Sequence, residues 1–278
     1  MIDSHGAVPT RDRPTRIGVQ LSPQHTSMQA TIDAAKRLDE MGVDAVFGWD
    51  HFFPLSGDPD GAHFEATAQL AAWAVATERV QLGALVFCNS YRNPDLLADV
   101  VRTIDHISGG RFIFGIGGGW FERDYEEYGY EFGTPGTRLR ALSESLPRIR
   151  ARWARLNPPP LGPMPILIGG KGEQKTLPMV AEHADIWHSF VGPDELPHKL
   201  DVLRAACEAR GRDVAEIEIS NGASVRDGVG GVGFDRLDAL HAAGTRLLTI
   251  PLSGDDTPDG YALDRVQAFL DWRDRKNA

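Results

Sequence analysis

Apolar residues along the chain fall into short, near-continuous runs separated by stretches of helical period. Residues 16–21, 43–49 (VDAVFGW), 80–87 (VQLGALVF) and 111–116 have the density expected of strands covered on both faces in a parallel sheet. Between them, residues 27–41 place Met28, Ile32, Ala35 and Leu38 on one helical face and stop at Gly42, and residues 64–77 and 94–107 also read as helices. The second half repeats the alternation, with strands over 166–168, 184–188, 216–220 and 245–250 and helices over 138–153, 175–183, 193–210, 234–243 and 261–275. Eight strands, each followed by a helix, predict an α/β chain folded as one (β/α)8 TIM barrel over residues 16–278. Residues 1–15 are polar, proline-containing and aperiodic, which predicts a flexible N-terminal tail.

A barrel of this kind carries its chemistry just after each strand. The richest of these points is the stretch RFIFGIGGGWFERDYEEY, residues 111–128, which passes from strand to glycine turn to charged helical segment. Gly117, Gly118 and Gly119 let backbone N–H groups approach a ligand, and a helix starting near Trp120 would add its positive dipole end, so the junction suits an anion such as phosphate. A plain tight turn accounts for some of these glycines, though with Gly115 they make four in five positions, more than it needs. A second glycine turn, Gly169, Gly170, Lys171 and Gly172, adds a lysine, and the two turns can hold one phosphate from both sides. Other strand ends supply Asp50 and His51, Cys88, Asn89 and Arg92, and His188.

The 278 residues are 42% hydrophobic and 24% charged, an ordinary globular balance, and no eighteen-residue apolar span or signal peptide is evident, which points to a cytoplasmic protein without a membrane partner. The net charge of −10 argues against nucleic acid. Cys88 and Cys207 stand in no metal-ligand spacing, so neither a metal site nor a disulfide framework is expected.

DAVFGWDHF, LGALVFCNSYRNP, DHISGGRFIFGIGGGWFERDYEEYG and PILIGGKGEQKTLPMVAEHADIW, in that order over about residues 16–250, resemble the bacterial luciferase-like flavin and deazaflavin oxidoreductases, above all the branch that uses coenzyme F420. The resemblance implies a barrel with the cofactor at its C-terminal mouth and the phosphate held by the turns at Gly117–Trp120 and Gly169–Gly172. It further implies a bulge with a non-prolyl cis peptide at Leu85-Val86 behind the ring, a cofactor contact from Asn89, next to the strand-end candidate Cys88, and a homodimer built on helices of the first half.

A deazaflavin enzyme needs a dry ring pocket, an anion grip and a proton donor or acceptor. His51 suits the last role by its reference pKa near 6.5, with Asp50 beside it to tune the pocket, although adjacent strand-end residues point to opposite sides. His188 is a ring neighbour or substrate contact. A strand-end histidine bonded to a loop, a buried cysteine and a helix with one packed and one solvated face are the structural alternatives for His51, Cys88 and residues 121–130. The expected function is hydride transfer between F420 and a small organic substrate; the alternatives are an FMN-dependent monooxygenase and a non-catalytic flavin- or deazaflavin-binding barrel. One departure stands out: family members carry an inserted segment before the strand at residue 166 that helps cover the pocket, whereas here about a dozen proline-rich residues bridge the gap. A more open pocket, or one covered by a partner subunit, is the expectation.

Overall fold

The computed structural model describes residues 13–223, 234–257 and 260–278. The expected tail lies outside them up to residue 12. Parallel strands β1 (Arg16–Leu21), β2 (Ala45–Gly48), β3 (Gln81–Ala84), β4 (Phe87–Cys88), β5 (Phe112–Gly117), β6 (Ile166–Gly169), β7 (Ile186–Ser189), β8 (Glu218–Gly222) and β9 (Leu247–Leu252) form the sheet. It closes on itself, because β9 pairs with β1 and β3 with β5. The expected barrel of eight staves is therefore present. Its third stave is broken: the run predicted as one strand to Phe87 divides into β3 and β4 at a cis peptide between Leu85 and Val86, the bond that the resemblance implied.

Helices α1 (Met28–Met41), α2 (Ala66–Ala76), α3 (Pro94–Ser108), α4 (Glu122–Tyr128), α5 (Pro135–Trp153), α6 (Thr176–His183), α7 (Leu196–Glu208), α8 (Asp235–Ala242) and α9 (Asp264–Asn277) connect the strands. Their ends follow local chemistry. Ser27 caps α1 by accepting from the Ala30 N–H, and Gly42 ends it in the left-handed region that glycine adopts without a Cβ clash. Strand residues alternate between two cores. Ala45, Phe47, Ile113, Leu167, Ile186 and Leu247 fill the barrel, while Val46, Phe112, Phe114, Ile166, Ile168, Trp187 and Leu248 face the helices. By that alternation His188, two residues after Ile186, returns to the interior at the strand's C-terminal end.

The connection between α5 and β6 corrects one expectation. His106 bonds the Pro159 carbonyl at 2.8 Å and Asp105 accepts from the Leu161 N–H, both from the C-terminal end of α3. That end leads into the start of β5, so the connection runs beneath the barrel. Its shortness has no bearing on how open the mouth is.

Candidate active site

At the C-terminal mouth a cavity of about 600 Å³ is lined by Asp50, His51, Leu85, Val86, Cys88, Gly117, Gly118, Gly119, Trp120, Gly169, Gly170, Lys171 and His188, all singled out in the sequence. Phe87, Pro135, Arg138, Leu139, Thr176, Ser189 and Phe190 complete its wall. Asn89 and Gly172 do not reach it. The Asn89 N–H is used on the Gly117 carbonyl, and its buried Oδ1 has no partner among the described residues.

Several glycines answer a packing demand before any ligand. A Cβ on Gly117 would stand 2.7 Å from a Val86 methyl and one on Gly169 3.2 Å from the other, so the branched side chain after the cis peptide is clasped between two strand ends. Gly119, at φ +76°, has no room for a Cβ beside the Tyr125 hydroxyl and the Cys88 sulfur. Gly118 lines the cavity, and a Cβ there would meet only Leu139 within 3.4 Å. The helix expected near Trp120 begins at Glu122, and Glu122 and Asp124 fill its first turn, so its dipole end is already complemented by its own carboxylates. The helix N-termini that reach the cavity are those of α5, through Pro135 and Arg138, and of α6, through Thr176.

Arg138 escaped the sequence reading because it sat in an ordinary amphipathic helix. Its side chain stacks on Phe132 at 4.0 Å, and its Nε and Nη1 donate to the carbonyls of Gly119 (3.1 Å) and Phe132 (2.9 Å). It is 8% exposed, and among the described residues no carboxylate pairs with it. A buried guanidinium without a counter-charge beside a glycine turn is suited to an anionic ligand. Arg92, the arginine that the sequence placed at a strand end, is committed elsewhere: it forks onto Asp50 at 2.7 and 2.9 Å and reaches Glu65 at 2.6 Å. Lys171 stands exposed at the rim, 3.4 Å from Glu195.

The pairing of Asp50 with His51 is also corrected. Asp50 is saturated by Arg92 and the Cys88 N–H, and thereby anchors the broken stave. The carboxylate that serves His51 is Asp124, whose Oδ2 lies 2.6 Å from His51 Nδ1. Asp124 is fully buried and also accepts from the Phe52 N–H and the Tyr91 hydroxyl. Burial alone would raise its pKa, but these hydrogen bonds outweigh burial and hold it below the usual carboxylate value. An ionised Asp124 accepts a hydrogen bond from Nδ1–H and keeps the proton on that nitrogen, which leaves His51 Nε2 as the working nitrogen. Trp49, Trp120 and Phe121 surround the imidazole edge-on at centroid distances of 6.2, 5.6 and 5.6 Å. Sequence placed Asp124 on a plain amphipathic helix; only the fold brings it to a strand end seventy-three residues away.

His188 is 2% exposed, and burial depresses its pKa to about 3, so the ring is neutral. Its Nδ1 lies 2.8 Å from Ser220 Oγ, while Nε2 has no partner among the described residues. Cys88 behaves as a small buried group, its thiol pushed up by burial and set 3.1 Å from the Tyr125 hydroxyl.

A closed parallel barrel with its polar groups converging on one mouth defines a (β/α)8 protein of the small-molecule-binding type. The family can then be stated: the family model of luciferase-like monooxygenases matches residues 13–226, and the chain belongs to that family. An F420-dependent glucose-6-phosphate dehydrogenase of Amycolatopsis mediterranei is 29% identical over 61% of this chain and 54% of its own length. The chain thus spans about half of that relative and 64% of an uncharacterized mycobacterial protein that it also matches. Among solved structures, an F420-dependent secondary alcohol dehydrogenase in complex with an F420-acetone adduct superposes with a TM-score of 0.79 at 17% identity, covering 93% of this chain and 98% of that one. The oxygenating constituent of a Pseudomonas putida Baeyer-Villiger monooxygenase, in complex with FMN, gives 0.62 at 17% identity over 75% and 67%.

Proposed function

We propose that the protein is an F420-dependent oxidoreductase that moves a hydride between the deazaflavin and a small organic substrate. The observation that carries this reading is the convergence, on one cavity, of an uncompensated Arg138, a glycine turn on either side of Val86, and a histidine whose Nδ1 is fixed by a buried carboxylate. The residues fit such a cofactor. Arg138, Thr176 and the N–H groups around Gly118 would hold its phosphate, and Val86, fixed between Gly117 and Gly169, offers an apolar surface for its ring. When bound, F420 supplies a ring carbon that accepts or returns the hydride. His51 Nε2 takes the proton from a substrate hydroxyl as that hydride departs, or returns it to a carbonyl in the reverse direction. Asp124 holds the imidazole in place throughout, and Trp120 and Phe190, 62% and 71% exposed, stand at the rim where a bound substrate would cover them.

The test is equilibrium binding of F420 and of FMN, followed by fluorescence, with Gly118→Glu as the control that places a carboxylate in the anion grip. Tighter F420 binding that the variant abolishes is expected. Preference for FMN would move the assignment to a monooxygenase, and binding of neither would sink it.

A homodimer fits this reading. Leu96 and Ile107 are 57% and 42% exposed along a groove between α2 and α3 that Ala71 and Val100 also line, and light scattering at two concentrations tests it. Cytoplasmic location is supported by two unpaired, buried cysteines; among the described residues no helix is long and apolar enough to cross a membrane.

A further inference from the structure

We infer that His188 is a fixed hydrogen-bond donor, with its proton on Nε2, and that it reads a carbonyl-type acceptor on the ring-bearing ligand held by the glycine turns. The inference rests on the cofactor reading for the identity of the ligand, but the proton's position follows from the protein alone. Ser220 and His188 are register partners on β8 and β7, both wholly inside the barrel, and the only hydrogen-bond partner of the Ser220 hydroxyl among the described residues is His188 Nδ1 at 2.8 Å. A neutral imidazole has one donor nitrogen and one acceptor. If Nδ1 carried the proton, the serine hydrogen would be buried without an acceptor and Nε2 would be a second unmet group. If the serine donates to Nδ1, one unmet donor remains, the Nε2–H, and it belongs to a residue that lines the cavity. Buried polar groups are paired wherever they can be, so the second arrangement is the favoured one.

The ligand that completes it is the one in the glycine turns. His188 pairs in register with Gly169, and its carbonyl accepts from the Gly170 N–H, so the free nitrogen is on the stave next to that turn. Phe190 packs edge-on against the ring at 4.9 Å and limits its rotation. The two mouth histidines are thus set oppositely: Asp124 leaves His51 Nε2 able to take a proton, whereas Ser220 makes His188 Nε2 a donor. His51 suits proton exchange, and His188 suits recognition of an oxygen or ring nitrogen that accepts. Ser220 is a positioning residue.

The experiment is nitrogen-15 and proton correlation spectroscopy of histidine-labelled protein, with His188→Phe to assign the signal, first without ligand and then with saturating F420. Expected is an Nε2–H tautomer in the free protein, an Nε2–H signal that moves and exchanges more slowly with F420, and a mixed tautomer in Ser220→Ala. F420 affinity should fall about three- to tenfold in His188→Phe, the worth of one hydrogen bond between neutral groups, and less in Ser220→Ala. An Nδ1–H tautomer in the free wild type overturns the inference whatever binds. A signal that stays put in protein that does bind F420 overturns the contact alone and leaves the oxidoreductase reading intact. Failure to bind either F420 or FMN overturns that reading and the contact with it.

Discussion

At the N-terminal ends of the strands, Arg16 forks onto Glu218 at 3.0 and 2.8 Å and bonds Gln81, and Arg111 is spent on the carbonyls of Ala74, Thr77, Val80 and Ser108. Asp44 and Asp185, each one residue before a strand, accept the N–H groups of Ile17 and Ile166 on the neighbouring staves. At the other end, among the described residues, His188 Nε2, Asn89 Oδ1 and Asn221 Oδ1 are buried without partners, against Thr245 Oγ1 alone ahead of a strand at the floor, and no carboxylate pairs with Arg138. Both ends belong to the same strands, so the contrast is not one of fold. Saturated polar groups tie staves together and serve stability, whereas unmet groups cost stability and are retained where a ligand completes them.

The largest effect that can break this division is on chemistry at the mouth. His51→Asn should lower turnover of F420 with a reactive substrate by about 10²- to 10⁴-fold, the usual share of a general acid or base, with F420 affinity unchanged. Asp124→Asn should lose less, because it keeps one acceptor for its three donors. Wild-type turnover in His51→Asn, followed by F420 absorbance, would remove His51 from the reaction.

The second effect belongs to the floor. Arg16→Met leaves the Glu218 carboxylate, 6% exposed, without its partner. A cost of about 3 kcal/mol in urea unfolding is expected, at the low end for a broken buried pair because the Arg16 side chain is one-fifth exposed. F420 affinity should not change. Weaker binding with unaltered stability would mean that the two ends are not separate in role.

Arg138→Met reverses that pattern. Removing a buried cation that lacks a counter-charge should cost less stability than Arg16→Met, because relief of the buried charge offsets the lost bonds to the Gly119 and Phe132 carbonyls, while F420 affinity falls about ten- to hundredfold, the worth of a charged hydrogen bond. Fluorescence titration at two salt concentrations checks it, since the variant should also lose part of the salt dependence.

The same division explains what the sequence disclosed. Strand and helix alternation is a repeated, local signal, so the barrel and most of the mouth could be read from periodicity and from the residues after each strand. The break at Leu85-Val86 leaves no trace in an unbroken apolar run, and came only with the family resemblance. Asp50 drew attention because it adjoins His51, yet adjacency along a strand end sends side chains apart, and Asp50 went to Arg92 instead. Asp124 and Arg138 lie on helices whose polar faces look alike in sequence whether they meet water or a cavity. What decides is the turn of chain that precedes each helix, and that is a property of the packed loop.

The smallest effect bears on whether the mouth is dry and unsaturated. Burial lowers the His188 pKa from about 6.5 to about 3, so the unfolded chain takes up a proton before the folded protein does. The stability that the neutral ring contributes is fully present above about pH 6.5 and is lost as pH falls toward 3. From pH 7.5 to 5.5 the loss is about 1.4 kcal/mol, one pKa unit's worth. His188→Phe cannot take up that proton. Its unfolding free energy, from urea curves at the two pH values, should therefore fall by about 1.4 kcal/mol less than that of the wild type. His63, held to about 4 by burial and then by His51, and the lowered His183 and His241 keep their own contributions in both proteins and cancel from the difference. Parallel losses in the two proteins would mean that His188 already holds water or charge, and the contrast between a saturated floor and an unsaturated mouth would fail at its best-defined residue.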